Sequence, residues 1–134
     1  MTGYGSGAAY KETGILSSSP EQLIPLMYKH LVVNLKRGGH FIANGDIEGK
    51  YESLGRASDI VAELVSSLDF ETGGELAPRL ASLYAFWSSE ISAAGRDLDA
   101  GRLARVTGMV ESLHESWEEA VRSMETGAAG LGTA

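Results

Sequence analysis

Ser66-Ser67-Leu68-Asp69-Phe70-Glu71-Thr72-Gly73-Gly74-Glu75-Leu76-Ala77 is the stretch on which the reading of this chain turns. Two apolar-periodic segments meet in it. Upstream, Ile47, Leu54, Ala57, Val61, Leu64, Val65 and Leu68 recur at helical steps behind Asp46, a residue suited to capping a helix. Downstream, from about Glu75, Leu76, Leu80, Leu83, Trp87, Ile91 and Ala94 do the same, with Tyr84 and Phe86 flanking the stripe on its two sides. Gly73-Gly74 follows a helix rather than a strand and lacks the Lys-Ser/Thr of a phosphate loop, so it reads as a turn that reverses the chain. The stretch therefore predicts a helical hairpin.

The pattern repeats outward on both sides. Ser19-Pro20-Glu21-Gln22 opens a first helix, with Ser19 as cap and Pro20 in the first turn. Ile24, Met27, Tyr28, Leu31, Leu35, Gly38 and Ile42 share one face of it, and Asn44-Gly45 ends it. Pro25 is expected to lose one backbone bond and bend the first turns. Beyond a break at Gly95 to Gly101, Leu103, Val106, Val110, Leu113, Trp117, Val121 and Met124 line a fourth helix. No segment alternates with period two, so no strand is predicted. Four amphipathic segments with short connections predict an all-α antiparallel four-helix bundle over 19–125. An N-terminal cap segment over 1–18 precedes it, and a disordered Gly/Ala-rich tail over 126–134 follows. Leu68, Leu80, Leu113 and Trp117 are expected in the core. Gly38, Gly55 and Gly108 fall inside helices, where each marks either a close helix contact or tolerated drift.

At 134 residues the chain is one domain, large enough for a real core. It has no cysteine, which excludes disulfides, thiolate metal sites and a thiol nucleophile. With 18 acidic against 11 basic residues the net charge is −7, a poor balance for nucleic acid. The head has no basic start followed by an apolar run, and no stretch reaches ~18 apolar residues, so neither a secretory signal nor a membrane span is expected. A cytoplasmic setting is the expectation.

Catalytic chemistry is sparse. Glu111 and His114 have the Glu-x-x-His spacing of di-metal bundles, but those need two such pairs. Met27 and Arg37 stand where His30 and His40 would need their Glu. Neither a cofactor nor a nucleophile constellation is predicted. Glu111, Glu115, Glu118, Glu119 and Glu125 make the end of the fourth helix acidic, which the basic side of the first helix can offset if the two are neighbours.

What remains is surplus apolar surface. Leu23, Leu26 and Val33 project from the first helix away from its stripe, among Lys29, His30, Lys36 and Arg37. Tyr84 and Phe86 widen the third helix. Tyr10, Ile15 and Leu16 sit outside any helix. Together with Tyr28 these are the candidate partner-binding residues, forming a groove for another chain's amphipathic helix, with the head as a displaceable cover. A second reading makes the same surplus the interface of a homodimeric oligomerisation or regulatory module.

Several of these segments resemble a known family. Ser19-Pro20-Glu21-Gln22-Leu23-Ile24 followed by Leu26-Met27-Tyr28 resembles the first helix of the flagellar secretion chaperone FliS family. The Leu68-Asp69 and Gly73-Gly74-Glu75 turn resembles that family's most recognisable stretch. Leu83-Tyr84, Trp117 and Ala9-Tyr10 fall where the family places similar residues, and the likeness covers about Ala9 to Met124. The resemblance implies a helical bundle in the cytoplasm that binds the C-terminal region of flagellin and blocks its premature polymerisation. It also implies delivery to the export gate protein FlhA. Pro25 and Lys29-His30 depart from the family pattern near the groove side.

Overall fold

Proline has no backbone N–H to lose at a helix start, and Pro20 is the first residue of α1 (Pro20–Ala43) in the computed structural model, which describes residues 20–133 and the side chains of 23–120, 122 and 123. Ser19, the expected cap, lies outside the described residues. α1 runs on through Pro25 without a break. It ends where Gly45 takes φ +71° and Asp46 N–H donates back to the Phe41 carbonyl at 2.9 Å. Asp46 then caps α2 (Ile47–Ser66), its carboxylate accepting from Gly49 N–H at 2.8 Å.

α3 (Leu76–Asp97) and α4 (Ala100–Thr133) complete the bundle. Only two residues join them. Leu98 adopts the left-handed conformation (φ 52°, ψ 44°), and Asp99 accepts from Arg102 N–H at 2.9 Å to start α4. The break is thus shorter than the expected Gly95 to Gly101, and Gly95 is a buried residue within α3. α4 also stays helical past Glu125 to Thr133, where the sequence reading places a disordered tail. That stretch has no proline, and Ala128, Ala129 and Leu131 favour helix among its glycines.

Each helix packs against its neighbours in sequence, and α1 also packs against α4, closing a four-helix ring with α1 and α3 on the diagonal. No strand occurs among the described residues. The basic side of α1 does meet the acidic α4: Lys36 Nζ lies 3.0 Å from a Glu111 carboxylate oxygen. Arg102 ties α4 to α3 through two bonds to Glu90, at 3.0 and 2.8 Å. The second is an ion pair that holds the Glu90 carboxyl below its ordinary range.

The core is aromatic at its centre. Tyr28, Tyr84 and Trp87 are fully buried, with ring centroids 5.4–6.4 Å apart. The hydroxyls of Tyr28 and Tyr84 share a hydrogen bond of 2.7 Å across the diagonal. That bond permits both phenols to be buried. Burial, then the neighbouring hydroxyl, pushes the Tyr28 phenol far up; burial also raises that of Tyr84. Tyr84 is therefore core rather than a flank of the α3 stripe, and Leu76, assigned to that stripe, is exposed. In α2, Ile47 and Val65 are likewise exposed, while Ile60 and Ser53 are buried. Of the four expected core residues Leu80 is buried; Leu68, Leu113 and Trp117 are half-buried and pack on the core's edge.

Candidate functional site

The α2–α3 turn builds one wall of the site. The Asp69 carboxylate accepts from Glu71 N–H at 3.0 Å, from Thr72 N–H at 3.1 Å and from the Thr72 hydroxyl. The Thr72 contacts come first in holding its carboxyl below the usual range. Gly73 N–H donates to the Asp69 carbonyl at 2.8 Å, and a Cβ on Gly73 would run into that carbonyl oxygen. Gly74 takes φ +56°. The Asp, Thr and paired glycines thus fix the turn's shape locally, and that shape presents Leu68, Leu76 and Ala77 to a small apolar pocket of about 150 Å³. Ile24 at the start of α1 and Trp117 of α4 close its other sides.

A larger groove of about 520 Å³ continues along the α3/α4 seam. Leu83 and Trp87 of α3 face Met109 and Leu113 of α4, with Ser112, Ser116 and Arg105 along the side. Gly108 leaves the wall low: a Cβ there would meet nothing within 4 Å. Phe86, 47% exposed, stands one turn from Leu83 on α3. Leu113 and Trp117 are one turn apart on α4, so groove and turn pocket form one apolar track. From Leu76 to Trp87 it spans ~16 Å at 1.5 Å per residue. Such a track suits an amphipathic helix laid lengthwise.

The residues expected to bind a partner divide into separate places. Tyr10, Ile15 and Leu16 lie outside the described residues. Tyr28 and Tyr84 pair inside the core; Tyr28 presents no surface, while Tyr84, though buried, lines the inner side of the turn pocket. Leu23 and Leu26 are half-buried on α1, and Val33 is exposed there. Phe86 is exposed on α3. Val33 and Phe86 thus stand on helices that are diagonal in the ring. Leu83, Met109, Leu113 and the turn pocket were not among the candidates. Periodicity assigned Leu83, Leu113 and Leu76 to core stripes, and a stripe wider than the core can cover is the signal that marks such a surface.

Glu111 and His114 do not act as a pair. Glu111 bonds Lys36, and His114 Nε2 lies 3.1 Å from Glu118. Among the described residues no cluster of three or more potential ligands gathers to hold a metal ion. No helix of the described chain is long and apolar enough to cross a membrane.

Comparison with known proteins agrees with this architecture. The chain is 32% identical to the flagellar secretion chaperone FliS of Salmonella typhimurium over 109 residues, 81% of each chain. It is 32% identical to that of Campylobacter jejuni over 118 residues, 88% of this chain and 91% of the other. Its fold matches a bacterial flagellar chaperone crystal structure at a TM-score of 0.73, covering 90% of this chain and 98% of the other at 16% identity. The profile of the flagellar protein FliS family matches residues 4–124, nearly the whole length, and the chain belongs to that family.

Proposed function

We propose that this protein is a cytoplasmic export chaperone that binds the C-terminal region of flagellin, prevents its premature polymerisation and assists its delivery to the export gate protein FlhA. The observation that carries the reading is the continuous apolar track along the α3/α4 seam, in a chain of the FliS family. The family is one of chaperones rather than enzymes, and its members serve flagellar export. A disordered segment that folds on binding loses ordering entropy and needs extended apolar contact to compensate. The track supplies that contact without any reacting group.

In this reading the N-terminal head is a cover that cargo displaces. Leu16 is four residues and Ile15 five residues before Pro20, so at ~3.3–3.6 Å per residue both are within ~18 Å of the start of α1. Ile24, near that start, lines the turn pocket. Each large apolar side chain contributes ~1.5–3 kcal/mol when buried, against ~1–2 kcal/mol per ordered residue, so the docking is marginal and reversible. Deleting residues 1–16 should leave flagellin affinity by calorimetry equal or higher, with the bundle still folded. A large loss of affinity would make the head part of the cargo site instead.

The competing reading uses the exposed track as a homodimer interface. Light scattering separates the two: a stable dimer that ignores flagellin favours the second.

A further inference from the structure

The other side of α3 carries a separate cleft, of about 410 Å³, between α2 and α3. Its walls are low because they are small: Gly55 and Ser58 on α2, Ser92 and Gly95 on α3. A Cβ on Gly55 would meet nothing within 4 Å. Its floor is apolar, formed by the buried Leu54 and Ile91.

The lining is basic. Lys50 and Arg96 stand in it and no acidic residue does, in a chain whose net charge is −7. The Lys50 ammonium donates to the Gly95 carbonyl at 3.0 Å, which leaves two of its three N–H groups for another acceptor. Arg96 Nε is 3.5 Å from Asp97 in an exposed pair, a contact that ties it down little.

The same end exposes large apolar side chains. Tyr51 is 78% exposed, and Ile47 one turn before it is also exposed. Lys50 reaching Gly95 brings the first turns of α2 beside the last turns of α3, the end at which Ile47 and Leu98 both lie. Leu98 breaks two local rules at once, being half-exposed and in the left-handed region that favours glycine. An apolar patch continuous with a cation-rimmed cleft marks a contact surface.

We infer that the α2/α3 cleft is a second docking site, for a partner's amphipathic helix that lays an apolar side chain over Leu54 and Ile91 and sets a carboxylate against Lys50 and Arg96. The small walls let a helix backbone approach closely. The cations at one end orient it, since the C-terminal end of a helix carries the negative pole. Leu83 lines the cargo track on one side of α3, while Ser92 and Gly95 line this cleft on the other, so both sites are filled at once.

The test uses the full chain and two synthetic 18-residue helical peptides labelled with rhodamine. They share one leucine stripe and differ in carrying Glu or Lys in the last turn. Fluorescence anisotropy should show the Glu peptide binding at least ~10-fold more tightly than the Lys peptide. Gly55→Leu, which fills the cleft, should weaken the Glu peptide by ~10-fold or more with the thermal midpoint unchanged or raised. Lys50→Gln with Arg96→Gln should erase the discrimination between the peptides. Equal binding of the two peptides, or a Gly55→Leu variant that binds as the parent does, would overturn the inference. Displacement by a flagellin C-terminal fragment would assign the peptide to the cargo track and overturn it too. Absence of flagellin binding would count against the proposed function alone, because the peptide comparison does not depend on it.

Discussion

Glycine closes one seam of this bundle and opens another. Between α1 and α2, a Cβ on Gly38 would collide with Leu54, and one on Gly49 would sit 2.6 Å from the Phe41 ring. Those glycines let the two helices meet. On the α2/α3 and α3/α4 sides, Gly55 and Gly108 have open space where a Cβ would be. There the missing side chain leaves a cleft unfilled. The same residue type, at helix-interior positions that sequence alone cannot tell apart, closes the α1/α2 seam and leaves open space beside α3.

The largest effect expected is at the floor of the open side. Trp87 is fully buried and lies beneath the α3/α4 groove. Trp87→Ala should cost ~3–5 kcal/mol in chemical denaturation. A loss below ~1 kcal/mol would mean the open side is loosely packed to its base, and the contrast between the seams would fail.

Next comes the aromatic centre that both sides share. Tyr28→Phe leaves the Tyr84 hydroxyl without its partner and should cost ~1–3 kcal/mol. Adding Tyr84→Phe should recover part of that loss, because no buried hydroxyl then remains orphaned. The pair also predicts an alkaline limit. Both phenols have raised pKa values in the folded protein, so their contribution is complete below the unfolded value of ~10 and falls away as pH rises above it. Unfolding followed from pH 8 to 11 should show this decline, and the double phenylalanine variant should flatten it.

The glycines themselves give the sharpest contrast, one of sign. Gly38→Ala gains ~1 kcal/mol of helix propensity but overpacks Leu54 by ~1–3 kcal/mol, for a net loss of up to ~2 kcal/mol. Gly55→Ala gains the propensity without a collision and should stabilise by ~0.5–1 kcal/mol. If both substitutions shift the unfolding midpoint in the same direction, glycine does not divide the molecule as described.

Much of the fold was legible because helical periodicity and capping chemistry are local. Asp46 and the Gly73-Gly74 turn act as their sequence implies. The α3/α4 break was placed in the right stretch but too wide, since nothing about Leu98 signals a left-handed residue. The site was less legible. Tyr84 and Phe86 both read as flanks of an α3 stripe drawn through Leu76 and Leu83; the buried row instead runs through Ala77, Leu80, Tyr84, Trp87 and Ile91, and the hydroxyl of Tyr28, 56 positions away, supplies the bond that lets the Tyr84 phenol sit in it. Val33 and Phe86 looked alike as surplus apolar residues. Their separation across the bundle is a property of the ring of helices, which no single helix pattern contains.

Flagellin binding, read by calorimetry with groove variants, tests the central claim most directly. Full-length flagellin should bind, and flagellin lacking its C-terminal ~40–50 residues, about the length of a helix pair, should not. Met109→Glu, at the exposed side of the α3/α4 groove, should lower the affinity at least ~10-fold with the fold intact, while Val33→Asp on α1 should leave it unchanged. Equal binding of the truncated flagellin, or a loss at Val33 with none at Met109, would contradict the account.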